Sequence, residues 1–275
     1  MSEEAQRFWS VTTLLKEGMG TSRSLVQWNA RIPAETAFDK IRTLQAFVAD
    51  GDRNAAVKWL MESRYAESDK AKARGSEIHA AAEALALGKP ISIADNLLPY
   101  VEQYRLFLND FSPTFLLAEA PVYSPRYSYA GTTDGIFQID GQKLIFDIKT
   151  TPTAPGEVND SGKPKARGPY TEVALQLAAY RHAELVGLIA ERVETYSGRY
   201  YTFNPENHHE PMPATDGAIA IMLSPYDYRV VPVQADERIF KYFLAVRECA
   251  RYQVEASKHV FGPPIGVPDP QKALL

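Results

Sequence analysis

A single cysteine, Cys249, stands in 275 residues. That excludes internal disulfides and any zinc or iron–sulfur site ligated by cysteines of this chain. Sparse cysteine is also the habit of intracellular proteins. Long apolar runs are missing: no stretch approaches the roughly 20 residues of a membrane-spanning helix. The N-terminal MSEEAQRFWSVTTLL lacks the basic start and apolar core of a signal peptide. A soluble, cytoplasmic chain with no membrane partner is the expectation. Charge of one sign is scarce too. Lys and Arg number 30 against 34 Asp and Glu, a formal net charge of −4. Any binding of a polyanion must therefore use a local groove and not bulk charge. There is no glycine-rich phosphate loop, no motif around Cys249 that marks a thiol enzyme, and no internal repeat.

What is present reads as an ordinary globular chain, 45% hydrophobic and 23% charged, long enough for one large domain or two small ones. Residues 1–24 suggest a short strand or turn entering a helix, with Ser10, Thr12 and Thr13 as caps. Pro33 opens a helical stretch from Ala34 to Asp50. Asp52 can cap the next helix, through Val57, Leu60 and Met61. Helix resumes from Ser68 to Leu87 and stops at Gly88 with Pro90 beyond. Asp95 to Phe111 is amphipathic helix again. The pattern then changes to strands at Phe115–Tyr123, Glu194–Phe203, Ala218–Leu223 and Tyr228–Val233, with a turn at Ser224–Asp227. A helix from Thr171 to Ile189 interrupts them, and one from Asp236 to Lys258 closes the chain. The fold class is α/β or α+β: a mixed central β-sheet flanked by helices, with a helical N-terminal part. The expected division is a helical region over 1–110, a core over 111–262 and an irregular Pro-rich tail over 263–275.

The stretch AGTTDGIFQIDGQKLIFDIKT, Ala130 to Thr150, organises the rest. Two alternating apolar runs, Gly131–Ile139 and Gln142–Lys149, flank Asp140-Gly141, and Asp-Gly between such runs signals a two-residue type I′ hairpin turn. Its register sets Ile139 against Gln142 and, extended, Asp134 against Asp147. Alternation then puts Asp134, Ile136 and Gln138 on one face with Ile145, Asp147 and Lys149. Phe137, Ile139, Leu144, Phe146 and Ile148 make the other, core face. Two carboxylates with Cβ atoms roughly 5 Å apart repel unless a cation lies between them. Embedding Asp147 and Lys149 in the apolar LIFDIKT costs several kcal/mol unless they are paired or bind metal. A solvated sheet face is the plainer alternative.

Three further features fit the hairpin. His79, in the stretch opened by Arg74 and Gly75, could supply a neutral imidazole, although a lone helical histidine is more often a surface or core residue. Glu119, in the strand before the hairpin, could hold a second metal or a bound water, or be an edge-strand charge. Gln176 and Tyr180, at i and i+4 of one helix, share a face and suit contacts to a phosphate backbone or a base; an amphipathic helix's polar stripe is the alternative. The Pro-, Gly- and Lys-rich loop 151–170 is long for a compact domain. Its Lys163, Lys165 and Arg167, with Arg74, are candidate DNA contacts; a plain flexible surface loop is the alternative. Two acids and an imidazole suit hard divalent ions such as Mg²⁺ or Mn²⁺, and the chemistry suggested is metal-assisted phosphodiester hydrolysis with Lys149 stabilising charge.

Taken in order, Gly75 with His79, Glu119, GTTD (Gly131–Asp134), DIK (Asp147–Lys149) and QLAAY (Gln176–Tyr180) resemble the PD-(D/E)XK nuclease superfamily. The resemblance is to its RecB-like branch, which includes the CRISPR-associated RecB-like exonucleases, and it covers the chain from about Gly75 to Tyr180. It implies a restriction-endonuclease-like core. It also implies that His79, Asp134 and Asp147 bind metal with the Ile148 carbonyl, that Lys149 is the catalytic lysine, and that Gln176 and Tyr180 position DNA or brace the site. Many CRISPR-associated members carry four cysteines for an iron–sulfur cluster. With Cys249 alone, no cluster is expected, and the chain looks like a cluster-free relative such as a phage recombination exonuclease. Helicase motifs are absent, so unwinding would fall to a partner helicase, recombinase or annealing protein. The function expected is a metal-dependent DNA exonuclease of recombination, repair or phage DNA processing. A DNA-binding accessory module and a site-specific endonuclease are the alternatives.

Overall fold

A computed structural model describes residues 6–21, 23–159, 161–187, 191–195, 198–204, 208–262 and 266. The expected tail, 263–275, lies outside these residues apart from Gly266. The protein is mixed α/β, a mostly antiparallel central sheet flanked by helices with a helical N-terminal part.

The chain enters through β1 (Gln6–Ser10) and turns at once into α1 (Val11–Met19). Ser10 is the N-cap, its Oγ accepting the Thr13 N–H at 3.0 Å. The region expected to be helical thus contributes a strand to the sheet. Helices α2 (Arg23–Asp39), α3 (Ile41–Ala49) and α4 (Arg53–Ala86) follow. Pro33 lies inside α2 instead of opening a helix, and the break falls at Lys40. The two helices expected between Asp52 and Leu87 are one element of 34 residues, because no glycine or proline breaker stands between Met61 and Ser68. Asp52 caps it by accepting the Ala55 N–H, and Gly88 follows its end at φ +65°. A short 3-10 turn, Asp95–Leu97, leads into α5 (Leu98–Phe111).

Strands β2 (Thr114–Ser124), β3 (Tyr129–Ile139) and β4 (Gln142–Thr150) form the expected antiparallel meander. Asp140 and Gly141 both have positive φ, as a type I′ turn demands. The register is the expected one, from Ile139 against Gln142 to Gly135 against Phe146. There the β3–β4 ladder ends, one pair short of Asp134 and Asp147. Helix α6 (Glu172–Arg181) is shorter than its sequence pattern. The chain leaves it at Arg181 because Leu185–Gly187 is taken up as β5, pairing with β2 and β8 (His209–Pro211). Sheet pairing here overrides helical propensity. The strand expected over Glu194–Phe203 is a hairpin, β6 (Glu191–Thr195) and β7 (Gly198–Phe203). Strands β9 (Gly217–Leu223) and β10 (Tyr228–Val233) and helix α7 (Glu237–Val254), capped by Asp236, complete the chain.

The sheet runs β10-β9-β4-β3-β1-β7-β6, with β2 on the far edge of β3. Both faces are covered. Ile136, Ile145 and Met222 pack with residues of α1, α6 and α7, while Phe137, Phe146, Ile148 and Ile221 pack with residues of α4 and α5. The hairpin face that carries Asp147, expected to lie opposite the core, is core as well: Ile136 and Ile145 are wholly buried there. Among the described residues no helix is long and apolar enough to cross a membrane.

Candidate metal centre

The site forms where β3 loses its neighbour. One edge of β3 is paired with β2 from Tyr129 to Gln138. Its other edge is shared: Tyr129 and Ala130 pair with β1, and Gly135 to Ile139 pair with β4. Residues 131–134 face the gap between. Beyond Phe146, β4 diverges and its ladder continues on β9 alone, through Asp147, Ile148 and Lys149. The Ile148 N–H, left without a strand partner on the β3 side, donates to Asp134 Oδ2. In an extended strand the N–H and C=O of one residue point the same way, so the Ile148 carbonyl also faces this gap.

Alternation fails at the same point, and the failure aims the acids. Gly135 has φ +152°, and a Cβ there would meet the Leu117 carbonyl oxygen at 2.3 Å. On β2, one residue beyond Ala118, the partner of Gly135, Glu119 has φ +45°, a left-handed conformation inside a strand that costs roughly 1–2 kcal/mol for a residue with a side chain. Asp134 thereby turns towards α4, into a small cleft lined by His79, Glu83, Tyr104, Glu119 and Ile148. Asp147 keeps the regular alternation of β4 and turns towards α6. The sequence reading had the two acids facing each other on one face; the kink at Gly135 separates them.

His79 Nδ1 lies 3.3 Å from Asp134 Oδ1 and 3.8 Å from Glu119 Oε1. The three residues offer ligand atoms that all lie within 4.8 Å of one another. They arrive from α4, β2 and β3, three separate elements. Glu119, expected to hold a second metal or a bound water or else to be an edge-strand charge, belongs to this group, and Asp147 is not among its members. No sequence pattern foretold that exchange, because it depends on two residues with unusual φ.

Asp147 has its own partners. It is 2% exposed. Lys149 Nζ lies 2.6 Å from Oδ2 and donates to Oδ1 at 2.7 Å, and Gln176 Nε2 donates to Oδ1 at 3.2 Å. Gln176 also donates to the Tyr180 hydroxyl at 3.3 Å. Tyr180 is buried over Gly131, where a Cβ would stand 2.4 Å from its ring. Gln176 and Tyr180 therefore brace Asp147, and the buried Tyr180 offers no surface to a polymer.

The electrostatics follow from this layout. Burial works against a charged His79, but Asp134, by charge and hydrogen bond, and then Glu119 outweigh it and lift the imidazole to about 10. Burial would raise Asp134, yet His79, Lys149 and the Ile148 N–H hold it below the usual carboxylate range. Burial, opposed by Lys149 and reinforced by the Asp134 charge, pushes Asp147 up to about 6. Burial disfavours the Lys149 ammonium, but Asp147 and Asp134 reverse that and keep it protonated. The four groups form one network of alternating charge, with the His79 proton holding the two carboxylates of its group together.

The basic candidates divide. Arg167 is spent on structure: its guanidinium donates to Asp227 and Ser224 and to the Thr153 carbonyl, pinning loop 151–170 to the β9–β10 turn. Lys165 pairs with Glu157 across the same loop. Lys163 is exposed. Arg74 is half-buried on α4, more than a turn before His79; burial raises the pKa of the Tyr100 hydroxyl, the Arg74 charge opposes that rise and Tyr226 adds to it.

No family model and no curated protein matches the chain. Among solved structures it is similar to one described as "Crystal structure of SSO0001", with 12% identity over 88% of this chain and 73% of that chain and a TM-score of 0.31. A likeness of that degree carries no argument about fold or function.

Proposed function

We propose that this chain is a divalent-metal-dependent deoxyribonuclease that hydrolyses phosphodiester bonds, acting from DNA ends. The observation that carries the reading is the convergence of His79, Glu119 and Asp134 to within 4.8 Å, at the gap from which β4 carries the Asp147–Lys149 pair. The order of these motifs along the chain, and their resemblance to RecB-like nucleases, supply the step from a metal site to a nuclease.

The donor set fits a hard divalent ion such as Mg²⁺ or Mn²⁺: two carboxylates, one imidazole, and the Ile148 carbonyl on the same gap. His79, Glu119 and Asp134 would hold it, with Asp147 on the other side of the gap. Such an ion supplies Lewis-acid polarisation of the phosphate and a more acidic bound water. The residues do the rest. His79 gives up its proton for the set to act as ligands, so affinity rises with pH. Lys149, fixed by Asp147, presents a permanent positive charge that opposes the charge developing on the phosphoryl oxygens. Gln176 and Tyr180 hold Asp147, and with it Lys149, in place.

The test uses end-labelled linear DNA with Mg²⁺ or Mn²⁺, beside a closed circular substrate. Asp134→Asn and Lys149→Ala are expected to lower the cleavage rate by about 100-fold or more, and closed circles are expected to survive. Equal degradation by wild type and both variants would sink the proposal. Cleavage of circles would convert it to an endonuclease.

A further inference from the structure

The N-terminal helical arm has almost no core of its own. From Arg23 to Glu77, through α2, α3 and the first two-thirds of α4, Ala56 is the one buried residue among the described residues. The next, Ile78, already belongs to the layer packed on the sheet. The packing of α2 and α3 is mainly with each other and with α4. Helices in water owe most of their stability to burying an apolar face, and a unit this small with one buried alanine has little to draw on. Apolar side chains are nevertheless present and outward. Phe38 is 82% exposed and Val48 72% exposed, with Ile41 and Met61 also exposed. Helix α3 is strongly amphipathic yet has no buried residue. Between α3 and α4 lies an open apolar groove lined by Leu44, Phe47, Val57 and Leu60. Scattered surface apolar residues are ordinary, but an open apolar groove on an element without a core marks a surface that another protein covers.

Charge indicates which protein. Residues 23–77 carry ten Lys or Arg against eight Asp or Glu, a balance of +2. The chain's net charge is −4, which leaves −6 for the rest. Two arms repel each other, whereas an arm and the body of a like molecule attract. We propose that a second copy of this chain covers the arm, each arm lying on the body of its partner in a reciprocal, two-fold dimer. The surface is distinct from the candidate metal centre, and its occupancy does not depend on the chemistry proposed there.

Sedimentation equilibrium of the full chain tests it, with salt as a second variable. The wild type is expected to dimerise at about 10 μM, a concentration that a modest interface supports. The double substitution Phe38→Glu/Val48→Glu should weaken the dimer about tenfold or more. Phe38→Leu/Val48→Ile, which keeps the apolar surface, should dimerise like wild type. Raising salt from about 0.05 to about 0.5 M should weaken the dimer, because opposite net charges meet in it. A wild type that stays monomeric overturns the proposal, as does a Glu variant that dimerises normally. Loss of the dimer in the Leu/Ile variant also overturns it, since the arm rather than the contact would then be at fault. A dimer that salt strengthens rules out arm on body.

Discussion

At the scale of single residues, two glycines and one glutamate make the site possible. Gly131 lets Tyr180 lie directly against β3, since a Cβ would stand 2.4 Å from Cε1 of the ring. Gly131→Ala is therefore expected to push Tyr180 outward, loosening the Gln176 bridge to Asp147, and to cost about 1–3 kcal/mol as overpacking does. Chemical denaturation would show that loss, with a fall in cleavage rate larger than the stability change explains. Glu119 carries the complementary lesson. A left-handed glutamate in the middle of a strand persists only where the surroundings impose it, and such outliers cluster at functional positions. Its carboxylate reaches His79 only by virtue of that conformation. Glu119→Gln retains the backbone and shape but removes a charge from the three-residue group. Calorimetric titration with Mn²⁺ is expected to show affinity lowered by about 10- to 100-fold. Unchanged affinity would remove Glu119 from the ligand set and leave its strain without a functional account.

At the scale of elements, the loop after β4 is held like a strap. Arg167 reaches from residue 167 to Thr153, Ser224 and Asp227, joining both ends of the loop to the β9–β10 turn, and is itself largely buried. Ser224, buried, accepts the Tyr226 and Asp227 N–H groups and secures the turn. Arg167→Ala should leave Asp227 without its main partner and release the loop. Hydrogen exchange is expected to accelerate across 151–170 with little change in β4. Lys163→Ala, at an exposed position, should leave exchange unaltered and instead weaken DNA binding modestly. If Arg167→Ala leaves exchange in the loop unchanged, the strap is not what orders it. The same elements show what the sequence disclosed. The hairpin, its turn and its register were legible, because Asp140-Gly141 and the alternating runs are local signals. So were the caps Ser10 and Asp52. The strand period put Asp147 and Lys149 on one face and the helix period put Gln176 and Tyr180 on one face; that the second pair braces the first was implied only by the family resemblance. The pairing of Asp134 with His79 and Glu119 instead of Asp147 was not legible, since alternation is broken by Gly135 and Glu119 through backbone angles that no spacing encodes. Arg167 looked like a free basic residue because its acid partner lies 60 positions away.

At the scale of the whole molecule, a sheet covered on both faces depends on the packing within each helical layer, and one contact inside the α1–α6–α7 layer is titratable. His182, at the end of α6, stacks on Phe240 of α7 with centroids 4.7 Å apart and planes 15° from parallel. Burial lowers its pKa first, and the neighbouring Arg181 charge lowers it further, against weaker opposing effects of the Ala235 carbonyl and of Glu237 and Asp236. A histidine whose folded pKa lies below its unfolded value binds protons more readily when the chain is unfolded. Its contribution to stability is therefore complete above about 6.5 and is lost as pH falls through the folded value. Asp227 acts in the same direction at lower pH. Its hydrogen bond from Arg167 is the largest cause of its depressed pKa, so its contribution is complete above the ordinary aspartate value and is lost as pH falls through the depressed one. Other groups in the molecule titrate as well, notably His79, Asp134 and Asp147, so the comparison must be between variants. His182→Gln cannot take up a proton in either state. The difference in melting temperature between wild type and His182→Gln is expected to narrow steadily from pH 7 to pH 5, with the wild type losing the greater share. Asp227→Asn should show no such narrowing above about pH 5 and a clear one below about pH 4. A wild-type advantage over His182→Gln that stays constant or widens on acidification would mean that His182 charges freely in the folded state. The α6–α7 contact would then tolerate an imidazolium, and acid lability would have to originate in the sheet or in the cluster of His79, Asp134 and Asp147.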